Sequence, residues 1–207
     1  GYWDPYNNDP KFDLQIIADK FSREYKNPTP FKLEIVVQTH SISFRYLDRN
    51  NDNEVFAVDL VPSLVDGKNE FGRNKFRVPE IIKIHRGKKR TEYYQRKINS
   101  KESIIWIKTD PLGYIEVAAN INKQNEDFRR SVKFIKRWKH ECKLINENFK
   151  LKSFHLEQLI TENYKQNTHL DIFDSIFKCL SELKEKIETP ILRDRGDNSK
   201  FIDSYVS

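Results

Sequence analysis

Residues 54–62 read Glu-Val-Phe-Ala-Val-Asp-Leu-Val-Pro, a short apolar run that contains one carboxylate, at Asp59, and ends at a proline. Side chains alternate between the two faces of a β-strand, so Asp59 lies on the face opposite to Phe56 and Val58. The apolar run predicts a buried strand. An ionised carboxylate in such a strand needs a cation or hydrogen bonds, because its desolvation is costly. Asp59 is therefore either a structural aspartate whose oxygens are satisfied locally, or a metal ligand.

The size and composition of the chain limit its class. Its 207 residues suffice for one large domain or two small ones. A formal net charge of +6 suits a polyanionic partner such as a nucleotide or a nucleic acid. No apolar run reaches the roughly 18 residues of a membrane span. Cys142 and Cys179 are far apart and form no zinc-binding pattern, which predicts reduced cysteines in a cytoplasmic protein.

The first half of the chain predicts one helix followed by a sheet. Asp9 and Pro10 form a helix start, with the aspartate as N-cap and the proline at the first helical position. Apolar residues then recur at helical spacing: Leu14, Ile17, Ala18, Phe21 and Tyr25. Residues 31–37 and 41–47 alternate as strands do, and residues 48–53 form a polar loop. With the apolar run that follows, they predict a mostly antiparallel sheet of at least three strands.

The region after this sheet is predicted to be irregular, because Gly67 and Gly72 interrupt it. Within it, residues 83–97 combine arginines and lysines with two tyrosines. Phosphates pair with such cations and bases stack on aromatic rings, so this segment fits either a nucleic-acid contact or a solvated basic loop. A short strand is predicted at residues 104–107.

From Asn125 onward the pattern predicts three helices. The predicted N-caps are Asn125 for the first helix and Ser153 for the second, while Thr168 with Asp171 makes a capping box for the third, at about residues 170–187. Two apolar stripes mark the buried sides of the first and third helices: Phe128, Val132, Ile135, Trp138 and Cys142, and then Ile172, Phe173, Ile176, Phe177, Leu180, Leu183 and Ile187.

The other faces of the first of these helices are basic. They carry Arg129, Arg130, Lys133, Lys136, Arg137 and Lys139. Cations at this density repel one another unless acids balance them, which favours an anionic partner; a merely solvated basic face is the alternative. Ser153, at the start of the next helix, can bind a phosphate or simply cap the helix.

Three pieces of the sequence resemble one family. VDLVP at residues 58–62 is similar to the third-carboxylate strand of template-independent nucleotidyltransferases of the DNA polymerase β type. FRRSVKFIKRWK at residues 128–139, followed by LKSFHLE at residues 151–157, resembles the helical half of the cyclic-GMP-AMP-synthase-like and oligoadenylate-synthase-like branch. The bacterial enzymes of this branch make cyclic oligonucleotide second messengers in antiviral (antiphage) signalling. The resemblance covers about residues 9–205.

The resemblance implies an α+β fold. Residues 1–120 would form part of the nucleotidyltransferase core, with a mixed, mostly antiparallel and incomplete sheet. Residues 121–207 would form the helical domain packed on it. A nucleoside triphosphate would bind in the cleft between the two.

The resemblance also assigns roles to four residues. Asp59 would be the third catalytic carboxylate and a ligand of Mg²⁺ or Mn²⁺. Lys136 and Ser153 would hold the donor triphosphate, with Lys139 as a weaker candidate for the same role. A ribose hydroxyl would attack the α-phosphate and expel pyrophosphate, a reaction that needs charge neutralisation and positioning.

The sequence departs from the family pattern at the start of the site. The family has a Gly-Ser pair and then two carboxylates two residues apart on a strand. This chain has no Gly-Ser pair, and its only acids at that spacing, Asp52 and Glu54, lie in the loop before Asp59 and not on an earlier strand. One explanation is truncation: the missing motifs would precede Gly1, and the 207 residues alone would be inactive. The alternatives are a non-catalytic nucleotide- or RNA-binding module and an enzyme that tails tRNA.

Overall fold

A computed structural model describes residues 10–38, 40–79, 106–188 and 190–203. Among these residues there are five helices and two three-stranded sheets, with the strands in the N-terminal half and the helices mostly in the C-terminal half. This confirms the predicted α+β class with an incomplete sheet. The predicted cap at Asp9, the basic segment 83–97 and residues 104–105 of the predicted strand lie outside the described residues.

The described residues fall into two compact units. The first takes those up to Gly67 and those from Phe76 to Lys108; the second takes Lys68–Lys75 and those from Thr109 onward. The first unit begins with helix α1 (Pro10–Glu24), followed by strands β1 (Lys32–Val37), β2 (Ile42–Leu47) and β3 (Glu54–Leu60).

Strands β1, β2 and β3 form an antiparallel sheet in that order. Alternate side chains of β2, those of Ile42, Phe44 and Tyr46, face a small core that α1 covers from one side, as the apolar stripe of α1 predicted. The buried members of this core are Leu14, Ala18, Ile42, Phe44 and Tyr46. In the register of the sheet Phe44 lies opposite Ile35 on β1 and opposite Val58 on β3.

Strand β3 is exposed, and the prediction of a buried strand is wrong. Its residues are exposed along the whole strand, with Phe56 at 42%, Val58 at 54% and Leu60 at 45% relative accessibility. Within the described residues β3 is the edge of its sheet, so it has a neighbouring strand on one side only. The carboxylate of Asp59 is therefore in contact with solvent and needs no cation to compensate for burial. Burial gives no reason to expect that Asp59 binds a metal.

The region after Pro62 contains a hairpin that the sequence analysis missed. Strands β4 (Leu64–Lys68) and β5 (Asn74–Pro79) lie side by side, and β6 (Trp106–Thr109) pairs with β5. Gly67 and Gly72 adopt φ values of +80° and +71°, which favour glycine. The glycines that predicted irregular structure therefore belong to the hairpin and its turn.

Four helices follow in the second unit: α2 (Pro111–Gln124), α3 (Asp127–Ile145), α4 (Ser153–Gln166) and α5 (Ile172–Glu188). Helix α2 was not predicted. Its start has the Asp-Pro signal that was predicted for α1: Asp110 is the N-cap and Pro111 the first helical residue. The Oδ1 atom of Asp110 accepts a hydrogen bond from the Gly113 N–H at 2.9 Å.

The helices pack around a core of apolar residues that come mainly from α3, α4 and α5. Its fully buried members include Ile135, Leu156, Leu159, Ile160 and Tyr164. The stripe predicted for α5 is partly wrong: Ile176 is buried, but Phe173 and Phe177 are 75% and 63% exposed and stack on each other. Cys142 and Cys179 are free cysteines.

The helix starts differ from the predicted caps. Asn125 ends α2, although its Oδ1 accepts a hydrogen bond from the Asp127 N–H at the start of α3. Lys152, and not Ser153, occupies the N-cap position of α4. At α5 the capping oxygen belongs to Asp171, which accepts a hydrogen bond from the Asp174 N–H at 2.8 Å.

None of the helices in the described parts of the chain combines the length and the apolarity that crossing a membrane requires.

Candidate functional site

Helices α3 and α4 pack side by side and run in opposite directions. Near the start of α3, the Phe128 ring meets the Tyr164 ring at 5.5 Å between centroids, and Ser131 Oγ lies 3.0 Å from the Tyr164 hydroxyl oxygen. Further along α3, Lys136 forms an ion pair with Glu157 of α4. Residue numbers rise on one helix while they fall on the other, so the end of α3 lies beside the start of α4.

This arrangement brings together three of the residues that the family resemblance assigns. Lys139 follows Lys136 by three residues on α3, and Ser153 precedes Glu157 by four residues on α4. Residues at these spacings are neighbours on a helix surface, with Cβ atoms about 5–6 Å apart. Lys136, Lys139 and Ser153 therefore lie at the same end of the α3–α4 pair, which we call the lysine–serine cluster.

The charges of the cluster are partly balanced. The side chains of Lys136 and Glu157 are 41% and 26% exposed, so solvent screens their ion pair. Lys139 forms no ion pair with any carboxylate that the structure describes. The positive charge of Lys139 is therefore not balanced by a described carboxylate. A polyanion bound at this end of the helix pair could contact the ammonium group of Lys139 and that of Lys136, which Glu157 holds in place.

Ser153 adds polar groups of a different kind. It is the first residue of α4, where backbone N–H groups have no partner within the helix. Lys152, at the N-cap position, makes no side-chain capping hydrogen bond. The first turn of α4 therefore presents N–H donors and the Ser153 hydroxyl, which are groups that can bind an anion.

Glu157 is the member of this site that the sequence analysis missed. It ends the LKSFHLE motif that carries part of the resemblance. Its spacing of four residues from Ser153 was visible in the sequence, but its contact with Lys136 was not, because that contact depends on how α3 and α4 pack.

His155, between Ser153 and Glu157, is buried at 1% relative accessibility. Burial lowers the pKa of its imidazole below the ordinary value; the charge of Asp203 opposes this shift, and Lys152 adds to it. Below the ordinary pKa of about 6.5, the unfolded chain then binds more protons than the folded one. His155 therefore makes the folded state less stable as the pH falls below that value.

We expect the free energy of unfolding to decrease between pH 7.5 and pH 5.5, with a His155 contribution of at most about 1.4 kcal/mol per pH unit. Urea unfolding of His155→Gln should show a shallower pH dependence than the wild-type protein, whatever its absolute stability. His169→Gln, at an exposed position, is the control. Equal slopes for the wild type and His155→Gln would contradict this role.

Asp59 lies in the first unit, whereas the lysine–serine cluster lies in the second. On β3 it is opposite Ser43 of β2. The same face of the sheet carries Arg45, which pairs with Glu34 and Glu54. Asp59 itself makes no side-chain hydrogen bond or ion pair with the described residues.

The described residues do not form a complete metal site. No group of three or more His, Cys, Asp or Glu side chains suited to a metal ion occurs among the described residues. A two-metal centre needs several oxygen ligands besides the substrate, and Asp59 supplies one carboxylate. The residues present do not fit a complete magnesium centre, so no catalytic step of this chain is assigned to the metal.

Comparisons with known proteins leave the family open. No protein-family model, no curated protein and no solved structure matches this chain. The resemblance to nucleotidyltransferases is therefore a hypothesis that depends on the three sequence motifs.

The exposed face of α3 is less uniformly basic than its sequence indicated. Arg130 pairs with Asp127, and Arg137 pairs with Glu141 four residues later. Acids therefore balance two of the cations whose mutual repulsion was the reason to expect an anionic partner. Arg129 is exposed and, like Lys133, forms no ion pair with the described residues.

Proposed function

We propose that the intact protein is a nucleotidyltransferase that joins nucleoside triphosphates, releases pyrophosphate and produces a cyclic oligonucleotide second messenger for antiphage signalling. The observation that supports the proposal is the lysine–serine cluster: Lys136, Lys139 and Ser153 lie at one end of the α3–α4 pair, and the resemblance implies that these three residues hold the triphosphate.

In this proposal the residues of the cluster bind and orient the donor triphosphate. The ammonium groups of Lys136 and Lys139 neutralise phosphate oxygens, and the Ser153 hydroxyl donates a hydrogen bond to one of them. Glu157 holds Lys136 in position through their ion pair. Phosphoryl transfer depends on such positioning and charge neutralisation more than on covalent chemistry by the protein.

Mg²⁺ or Mn²⁺ is the proposed cofactor of the intact protein. Asp59 is the one residue of this chain that we propose as a ligand. Its exposed carboxylate, without an ion pair among the described residues, is compatible with that role.

The test is ATP binding in the presence of Mg²⁺, measured by calorimetric titration. We expect the double variant Lys136→Gln/Lys139→Gln to bind ATP at least tenfold more weakly than the wild type, a loss of about 1.4 kcal/mol or more. Lys133→Gln is the matched control, because it removes an exposed cation from the same helix outside the cluster. An equal loss in the control, or no loss in the double variant, would refute the proposed site.

A second candidate function is a nucleic-acid-binding module without chemistry. The observation that favours it is the surface of α3, which exposes Arg129 and Lys133 and also the ring of Phe134, at 54% relative accessibility. Cations contact phosphates, and an exposed ring can stack on a base. Tight binding of a short RNA that weakens steeply with salt, together with no Mg²⁺-dependent ATP binding, would favour the module over the enzyme.

A further inference from the structure

The second unit contains a pocket that is separate from the lysine–serine cluster. Its volume is about 440 Å³, and residues of α2, α4 and the segment after α5 line it. Pockets of roughly 300–1,000 Å³ are typical of small-molecule sites. Part of the wall is apolar and includes Val117, Leu159 and Ile202. None of the four residues assigned by the resemblance lines this pocket.

Arg193 is the pocket residue whose charge is not balanced. Its guanidinium lies over the Phe201 ring, 4.0 Å from the centroid, and its Nη1 donates a hydrogen bond to the Asn198 carbonyl at 2.9 Å. No carboxylate in the described parts of the chain pairs with it. The ring and the carbonyl hold the guanidinium in place, while most of its N–H donors remain available. An arginine fork of this kind matches the geometry of a carboxylate or phosphate group.

The other charged residues of the pocket are paired. Lys165 lies 2.6 Å from Glu162, which also lines the pocket. Arg195 pairs with Glu70 and lies 3.4 Å from Asp110. The lining thus contains three cations and one carboxylate, and among the described residues the cation that no carboxylate pairs with is Arg193.

Tyr114 provides a neutral hydrogen-bond donor in the same wall. Its hydroxyl oxygen accepts a hydrogen bond from the Arg195 backbone N–H at 3.0 Å, so its own proton is available to another acceptor. Burial raises the pKa of Tyr114 to about 12, which keeps the hydroxyl protonated at neutral pH. The Tyr114 hydroxyl and the Arg193 guanidinium are therefore both hydrogen-bond donors, and neither is paired with a carboxylate among the described residues.

We propose that this pocket binds a small organic oxyanion, with its carboxylate or phosphate group at Arg193 and its planar or apolar body against Leu159 and Ile202. The assignment does not depend on the proposed nucleotidyltransferase activity, because it uses residues of the second unit outside the lysine–serine cluster. It gives the protein a second ligand site, of a size suited to a metabolite or to a single nucleotide.

Titration of the chain with three probes tests the assignment: adenosine 5′-monophosphate, benzoate and uncharged adenosine. We expect at least one of the two anions to bind more tightly than adenosine, and its affinity to fall at least tenfold in Arg193→Gln but not in Lys123→Gln, which removes an exposed cation of α2 outside both proposed sites. Binding of the monophosphate alone would identify a phosphate ligand, and binding of benzoate alone a carboxylate ligand. If neither anion binds, or if Arg193→Gln binds as the wild type does, the assignment is wrong.

A second measurement places the ligand without relying on a variant. In amide NMR spectra the bound anion should shift the signals of Tyr114, Leu159 and Ile202. Shifts centred on Lys136 and Ser153 instead would overturn the assignment, because they would place the anion at the other site.

Discussion

Replacing Asp110 with alanine is expected to lower the free energy of unfolding by about 3 kcal/mol or more, because it removes a buried charge that several groups depend on. The Asp110 side chain is 1% exposed. Its Oδ1 accepts hydrogen bonds from the Gly113 N–H and from Asn69 Nδ2, at 2.9 and 2.8 Å, and its Oδ2 faces Arg195. Urea unfolding of the variant and the wild type measures the difference.

Asp171→Ala is the matched control, because Asp171 also caps a helix but does so at an exposed position. Losing an exposed cap of this kind lowers the free energy of unfolding by about 1 kcal/mol. The Asp110 side chain is also tightly packed, because a Cβ added at Gly113 would lie 2.6 Å from Asp110 Cγ. If Asp110→Ala loses no more stability than Asp171→Ala, the buried contacts contribute little.

Under the proposed function, replacing Asp59 with alanine in the intact protein is expected to reduce product formation by on the order of 10²–10³-fold, a loss of about 3–4 kcal/mol of transition-state stabilisation, because the variant lacks the one carboxylate of this chain that we assign to the site. Labelled nucleoside triphosphates followed to product measure this effect. The exposed position of Asp59 makes the result interpretable, since substitutions at such sites usually change stability by less than about 0.5 kcal/mol. Lost activity would then not be a consequence of unfolding.

Glu54→Gln is the control for Asp59, because Glu54 is an acid of the same exposed strand and pairs only with Arg45 among the described residues. It should leave the rate of product formation close to that of the wild type. Wild-type rates in Asp59→Ala would remove Asp59 from the catalytic site.

The sequence predicted best those helices whose buried side is marked by apolar residues at helical spacing. The stripe through Leu14 and Ala18 predicted α1 with its buried side, and the stripe through Phe128 and Ile135 did the same for α3. In each case the period of the apolar residues is a property of the helix itself. The burial of β3 could not be predicted in this way, because the apolar character of Val58 does not tell whether a neighbouring element covers it.

Short elements and single contacts were the hardest to predict. Asp110 and Pro111 are the same start signal as Asp9 and Pro10, yet the sequence analysis did not predict α2. Lys136 and Ser153 were found through motifs, but their proximity depends on the antiparallel packing of α3 and α4. Arg193 has no motif at all, and its unbalanced charge can be seen only where the chain places Phe201 and Asn198 around it.

The turn of the β4–β5 hairpin has a practical consequence for dissecting the protein. Lys68–Lys75 belong with the helices, so the chain passes from one unit to the other three times, after Gly67, Lys75 and Lys108. A fragment limited to residues 109–207 would lose Asn69, which donates to Asp110, and Glu70, which pairs with Arg195. Cutting the chain once therefore cannot release an intact helical unit. A circular permutant or a grafted hairpin would be needed to keep those two partners in place.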